Sequence, residues 1–295
     1  MTDSTPPSCG CRLIDVSDTV QGARIPVALL YPAQGAETTE HFGPYSLDVA
    51  SNAAPLDGTF PLVVISHGNS GTPWAYRDMA RHLVQAGFAV ALPAHTGNTR
   101  NDNTLAGTAA NLANRPRHIS LTIDAAFADK VLKPHLANTG VALIGHSIGG
   151  YTVLAAAGGQ PWSGPHETPG GQPQPVPVTP DPRVRALVLL NPATFWFVGE
   201  SLRKVNLPIL MLTGEKDEQT PIEHAHKVIN GVADRALVEH KDVAGAGHFG
   251  FMSKFPPEMT RPNFKPSQDP EGYDRLAFQP TLFADVLDFL KRSAM

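Results

Sequence analysis

Short apolar runs alternate along the chain with longer segments whose apolar residues recur at helical spacing. "PLVVISHG" (61–68), "FAVALP" (88–93), "VALIGH" (141–146), "VRALVLLNP" (184–192) and "LPILMLTGE" (207–215) are compact and bounded by turn residues. Runs of this length read as buried strands. "ARIPVALLYP" (23–32) adds a strand before them and "ALVEHKDV" (236–243) one after. Between the strands, "WAYRDMARHLVQAGF" has helical spacing and a stop at Gly87. "RHISLTIDAAFADKVL" (117–132), residues 147–157, "TPIEHAHKVINGV" (220–232) and "PTLFADVLDFLKRSA" (280–294) also read as helices.

Strands that alternate with helices predict an α/β fold: a mostly parallel central sheet with helices on both faces. The first 60 or so residues are richer in strand and turn signals, which predicts an antiparallel N-terminal edge. Residues 1–22 read as an N-terminal segment ahead of one α/β domain, 23–295. Two stretches break the alternation, 158–182, crowded with proline and glycine, and 252–279, with many prolines, aromatics and charges. Long stretches without regular structure in a compact domain are typically functional loops or disordered ones, so both read as loop insertions.

Composition narrows the function. Hydrophobic residues are 42% and charged residues 17%, a globular balance. A net charge of -4 demands no basic face, so neither nucleic acid nor an anionic membrane is the expected partner. No apolar run reaches the ~20 residues of a membrane span. The N-terminus lacks the charged-then-apolar build of a signal peptide, so a cytoplasmic protein is expected. Cys9 and Cys11 are too few for a four-ligand zinc site or a disulfide framework. They read as reduced thiols in a poorly ordered or edge segment.

The chemistry is concentrated where strands end. "VALIGHSIGG" runs from a strand straight into Gly145-His146-Ser147-Ile148-Gly149. A G-x-S-x-G on a strand–turn–helix lifts the serine hydroxyl above the sheet edge, and the glycines let helix and strand approach closely. The pattern is weak alone, but the strand before and the helix after supply its context. A serine needs a base. The acid is sought after the strand "LPILMLTGE", where Asp217 clears the turn and Glu215 and Glu218 compete with it. The base is sought in "DVAGAGHFGF", where His248 sits in a glycine-rich loop after the last strand. The order Ser147, Asp217, His248 is the order of a hydrolase triad on a sheet of this kind. The small residues of "VVISHGNSGTP" suit a backbone that approaches a substrate oxygen. The amides of Asn69 and Ile148 are the expected oxyanion donors, and His67 reads as a structural hydrogen-bonder.

Taken together, "FPLVVISHGNSG", "LPAHTGNTRND", "GHSIGGYT", "LLNPA" and "AGAGHFGF" resemble the dienelactone-hydrolase-like branch of the α/β-hydrolases, close to platelet-activating-factor acetylhydrolases. The resemblance runs from about Arg24 to the end and implies the α/β-hydrolase fold and a serine esterase. Dienelactone hydrolase proper uses a cysteine where this chain has Ser147, a departure that favours carboxylic esters.

The expected reaction is ester cleavage through an acyl-enzyme on Ser147, with His248 as base and Asp217 orienting it. It requires no metal and no organic cofactor. Loops at the carboxyl ends of the strands are expected to line the pocket for a small-molecule ester. Trp74, His95, Trp196, Phe249 and Phe251 are the candidate substrate contacts, with Asn98, Thr194 and Phe195 beside them. Amide or peptide hydrolysis by the same triad is the second enzymatic reading. A non-catalytic binding protein on a hydrolase fold is a third, opposed by the intact set of Ser147, Asp217 and His248.

Overall fold

The computed structural model describes residues 6–293. Ten strands among them form one sheet: β1 (Ser8–Asp18), β2 (Ala23–Ala33), β3 (Thr38–Phe42), β4 (Tyr45–Ser51), β5 (Phe60–Ser66), β6 (Ala89–Pro93), β7 (Leu136–His146), β8 (Val184–Leu190), β9 (Ile209–Gly214) and β10 (Val238–Val243). Their order across the sheet is β10-β9-β8-β7-β5-β6-β2-β1-β4-β3. From β10 to β6 every pairing is parallel. β2 turns antiparallel to β6, and β1 and β2 pair antiparallel along all of β1.

The central strands are buried on both faces, and their two-residue period divides the core. In β5, Leu62 and Val64 face one apolar cluster and Val63 and Ile65 the other. Five α-helices cover these faces. α1 (Arg77–Gln85) and α5 (Arg275–Arg292) pack on one, and α2 (Ala109–Ala128), α3 (Ile148–Ala156) and α4 (Glu223–Gly231) on the other. The arrangement is the mostly parallel sheet with helices on both faces that the alternation predicts.

Several local expectations change. Residues 8–18 of the N-terminal segment are part of the sheet, because β1 lies between β2 and β4. Asp18 at its end accepts hydrogen bonds from Nε and Nη2 of the Arg117 guanidinium on α2. Cys9 and Cys11 are therefore neither in a disordered segment nor at an edge. Both are buried, and burial pushes their thiols up to about 12, which leaves them inert as nucleophiles. The 252–279 loop also ends sooner than expected. Asp274 caps α5 through Leu276 and Ala277, so the helix begins before Pro280.

α2 starts eight residues before the expected helix because Thr108 caps it, its hydroxyl accepting from the Asn111 amide. Pro116 then sits inside the helix. A proline there has no N–H for the carbonyl four residues back and normally breaks the ladder. Here that carbonyl, Leu112 O, accepts instead from the buried Tyr151 hydroxyl at 3.0 Å. A bond from α3 thus stands in for the one the proline removes, and α2 stays continuous across the site side of the sheet. Tyr151→Phe is expected to leave this carbonyl unpaired and to lower unfolding stability by about 1–2 kcal/mol, read from urea denaturation.

Candidate active site

Ser147 lies between the last residue of β7 and the first of α3, with φ 57° and ψ −123°. A left-handed serine is strained and persists only where its surroundings over-determine it. They do so here. Ser147 N–H donates to Leu190 O, and Ser147 O accepts from the amides of Gly150 and Ala193. The flanking glycines have a steric cause. A Cβ on Gly145 would fall on the Gly149 carbonyl, and one on Gly149 on the Ser66 carbonyl at the end of β5. One on Gly150 would meet Pro192.

Asp217 follows β9 and is buried, whereas its rivals Glu215 and Glu218 are exposed. Its Oδ2 accepts from His248 Nδ1 at 2.8 Å and from Thr220 Oγ1 at 2.7 Å. Its Oδ1 accepts from the amides of Gln219 and Thr220. Burial alone would raise the pKa of this carboxyl. The hydrogen bonds from His248 and Thr220 outweigh it and hold the group down at about 2. With Nδ1 committed to the carboxylate, Nε2 is the ring nitrogen His248 has left for another partner.

Three residues not singled out from the sequence hold this pair. The His248 carbonyl accepts from His146 Nε2 at 2.7 Å and from Asn191 Nδ2 at 3.0 Å. Asn191 Oδ1 also accepts from the Gly214 amide at the end of β9. Asn191 has φ 45° and is fully buried, so one side chain ties the acid's strand to the histidine's loop. Thr220 orients the carboxylate from three residues downstream. The asparagine before a proline in "LLNP" was the visible sign of a left-handed turn; nothing local marked Thr220 or His146.

A cavity of about 530 Å³ is lined by His146, Ser147 and His248 together with Asn69, Arg100 and Phe249. Gly68 approaches Ser147 so closely that an added Cβ would stand 3.4 Å from the serine Cβ. This places the 67–71 turn beside the first amide of α3, which has no intrahelical acceptor. Met252, Phe255, Phe264 and Pro266 of the second loop insertion close another wall.

The expected substrate contacts divide. Phe249 lines this cavity. Trp74 instead stacks on Phe42, with centroids 3.8 Å apart, in an adjoining cavity of about 710 Å³ that shares Tyr45, Gly71, Thr72 and Arg100 with the first. Trp196 lines a separate hollow with Trp162 and Phe195, its Nε1 donating to Glu167. Phe251 is core, packed near Phe278. His95 is fully buried and bonds Ser66 Oγ, so it faces the interior and not a ligand. The 158–182 insertion sits by the Trp196 hollow, away from Ser147. His67 bonds Gly68 O through Nδ1 and accepts the His95 amide through Nε2.

Because the folded Asp217 carboxyl has a lower pKa than the usual value of 3.8, the unfolded chain takes up the proton first as pH falls. The stabilisation is complete above about pH 4 and is lost as pH drops towards 2, a loss of about 2 kcal/mol. Urea unfolding across this range is expected to show a loss about 2 kcal/mol smaller in Asp217→Asn than in the wild type, the remainder coming from other carboxyls held low, such as Asp18 and Asp181.

A family model described as the alpha/beta hydrolase fold matches residues 61–200. No curated protein matches the sequence significantly. Among solved structures, a ferulic acid esterase from Streptomyces cinnamoneus is similar over 98% of this chain and 91% of its own, with a TM-score of 0.72 and 17% identity. A dienelactone hydrolase from Anabaena variabilis is similar over 82% of this chain and 88% of its own (TM-score 0.52, 18% identity). A protein from Thermoplasma acidophilum described as a predicted CIB-like hydrolase is similar over 96% of this chain and 99% of its own (TM-score 0.54, 15% identity). Strand order, the strained serine turn and these likenesses agree: the chain has the α/β-hydrolase fold.

Proposed function

We propose that the protein is a serine hydrolase that cleaves carboxylic esters through an acyl-enzyme. The observation that carries this reading is the 2.8 Å bond from His248 Nδ1 to the buried Asp217 carboxylate, on a histidine that lines one cavity with the strained Ser147. Nε2 of His248 takes the Ser147 hydroxyl proton as Oγ bonds to the ester carbonyl carbon. The carbonyl oxygen becomes an oxyanion, received by the amides of Asn69 and Ile148. His248 returns its proton to the departing alcohol. Water then attacks the acyl-enzyme carbonyl as His248 takes its proton, and His248 returns that proton to Ser147 Oγ as the acyl C–Oγ bond breaks and the acid leaves. Asp217 stays ionised throughout, fixing the tautomer and stabilising the imidazolium.

The apolar part of the wall favours a partly aromatic or alkyl group. Phe249, Met252, Phe255 and Phe264 supply apolar surface around the serine. The likeness to a ferulic acid esterase supports an ester as the bond cleaved.

p-Nitrophenyl esters from acetate to decanoate are expected to be hydrolysed, with the best chain length reporting cavity depth. Ser147→Ala is expected to lose turnover and fluorophosphonate labelling together. Asp217→Asn is expected to keep its fold at neutral pH and lose about 10⁴-fold in kcat, because the imidazole then adopts the wrong tautomer. Turnover that survives Ser147→Ala would overturn the reading.

A further inference from the structure

Arg115, in the second turn of α2, is fully buried, yet every group it bonds is uncharged. Nε donates to Thr152 Oγ1 at 2.9 Å and Nη1 to Asn98 Oδ1 at 2.7 Å. Nη2 donates to the His67 carbonyl and, at 3.4 Å, to Ser66 Oγ. Burial lowers its pKa to about 9, which leaves it charged at neutral pH. The nearby His67, His95 and His118 are held well below their usual range, first by burial, and are neutral. A buried cation without a protein counter-charge is costly, and a carboxylate partner or an apolar side chain would serve the fold better.

Three of these four bonds lead to one of the two proposed oxyanion donors. The His67 carbonyl begins the turn that carries Asn69. Asn98 Nδ2 donates to Asn69 Oδ1 at 2.7 Å, pinning that residue from the side. Thr152 Oγ1 in turn donates a hydrogen bond to the Ile148 carbonyl at 2.8 Å, one peptide from the Ile148 amide. The turn after β5 and the first turn of α3 are far apart in sequence, and one guanidinium spans them.

On the proposed serine-hydrolase reading, we infer that Arg115 is a positioning residue that sets the spacing of the Asn69 and Ile148 amides and keeps a fixed positive charge behind them. The missing counter-charge arrives only when the substrate oxygen becomes an oxyanion. The interaction is therefore stronger in the transition state than with bound ester, so its loss falls on kcat and not on KM.

The test follows p-nitrophenyl acetate turnover and the rate of covalent labelling by a fluorophosphonate, with thermal melting on the same samples. Arg115→Ala is expected to slow both rates about 100-fold with KM within about twofold, and millimolar guanidinium to recover at least about tenfold. Asn98→Ala and Thr152→Val each remove one link and are expected to cost about tenfold in kcat. These two decide the matter if Arg115→Ala does not fold. Wild-type rates in folded variants, or a loss confined to KM, would overturn the role of Arg115 while leaving Ser147 as nucleophile. A wild type inert to the fluorophosphonate would overturn the serine-hydrolase reading and this inference with it.

Discussion

A serine held at φ 57° between a buried strand and a helix is the constraint on which the rest of the site depends. The turn is so tight that three of its glycines have no room for a Cβ: one against the other side of the turn, one against β5 and one against Pro192. The strain is distributed into backbone bonds from β8 and the loop after it, which fix the direction of Ser147 before any ligand arrives. The same close approach brings the 67–71 turn next to the helix N-terminus. A looser turn would separate the proposed nucleophile from both amides.

Around this turn, polar groups are arranged in two buried networks on opposite sides of β7. One runs through Asn191, Thr220 and His146 and holds Asp217 and His248. The other runs through Arg115, Asn98 and Thr152 and holds the loop after β5 and the start of α3. Buried networks of this kind rigidify the groups they join, although His146 Nδ1 in the first is left without a partner among the described residues. The proposed chemistry demands that rigidity, since donors and base must already stand where charge develops. The cavity walls come from elsewhere: the second loop insertion contributes much of the apolar surface, while the proline-rich 158–182 segment does not reach the serine.

The strand-end positions of Ser147, Asp217 and His248 were readable because each follows a run whose period and turn residues mark a strand. In a parallel sheet the carboxyl ends share one edge. The pocket was much less readable. An aromatic or histidine near a strand end can face the cavity, the core or a neighbouring hollow, and Phe249, Phe251 and Trp196 take one each. His95 carried the right position and the wrong direction, turned inward by Ser66. The start of α2 was hidden because Pro116 is a local stop signal, and the hydroxyl that compensates it lies 39 residues away in the chain from Leu112.

What the sequence determined by itself is what short-range physics encodes: the two-residue and helical periods, the glycines that a strained turn requires, and the strand–helix alternation that makes the sheet parallel. The tertiary structure alone decided which polar groups meet. Arg115 and Thr152, Asn98 and Asn69, Asn191 and the His248 carbonyl are joined across 29 to 57 positions. It also placed the N-terminal cysteines inside the sheet, since β1 has its place only once β2 and β4 flank it. Such pairings leave no periodic trace, because each depends on the packing of elements whose separation in the chain carries no local signal.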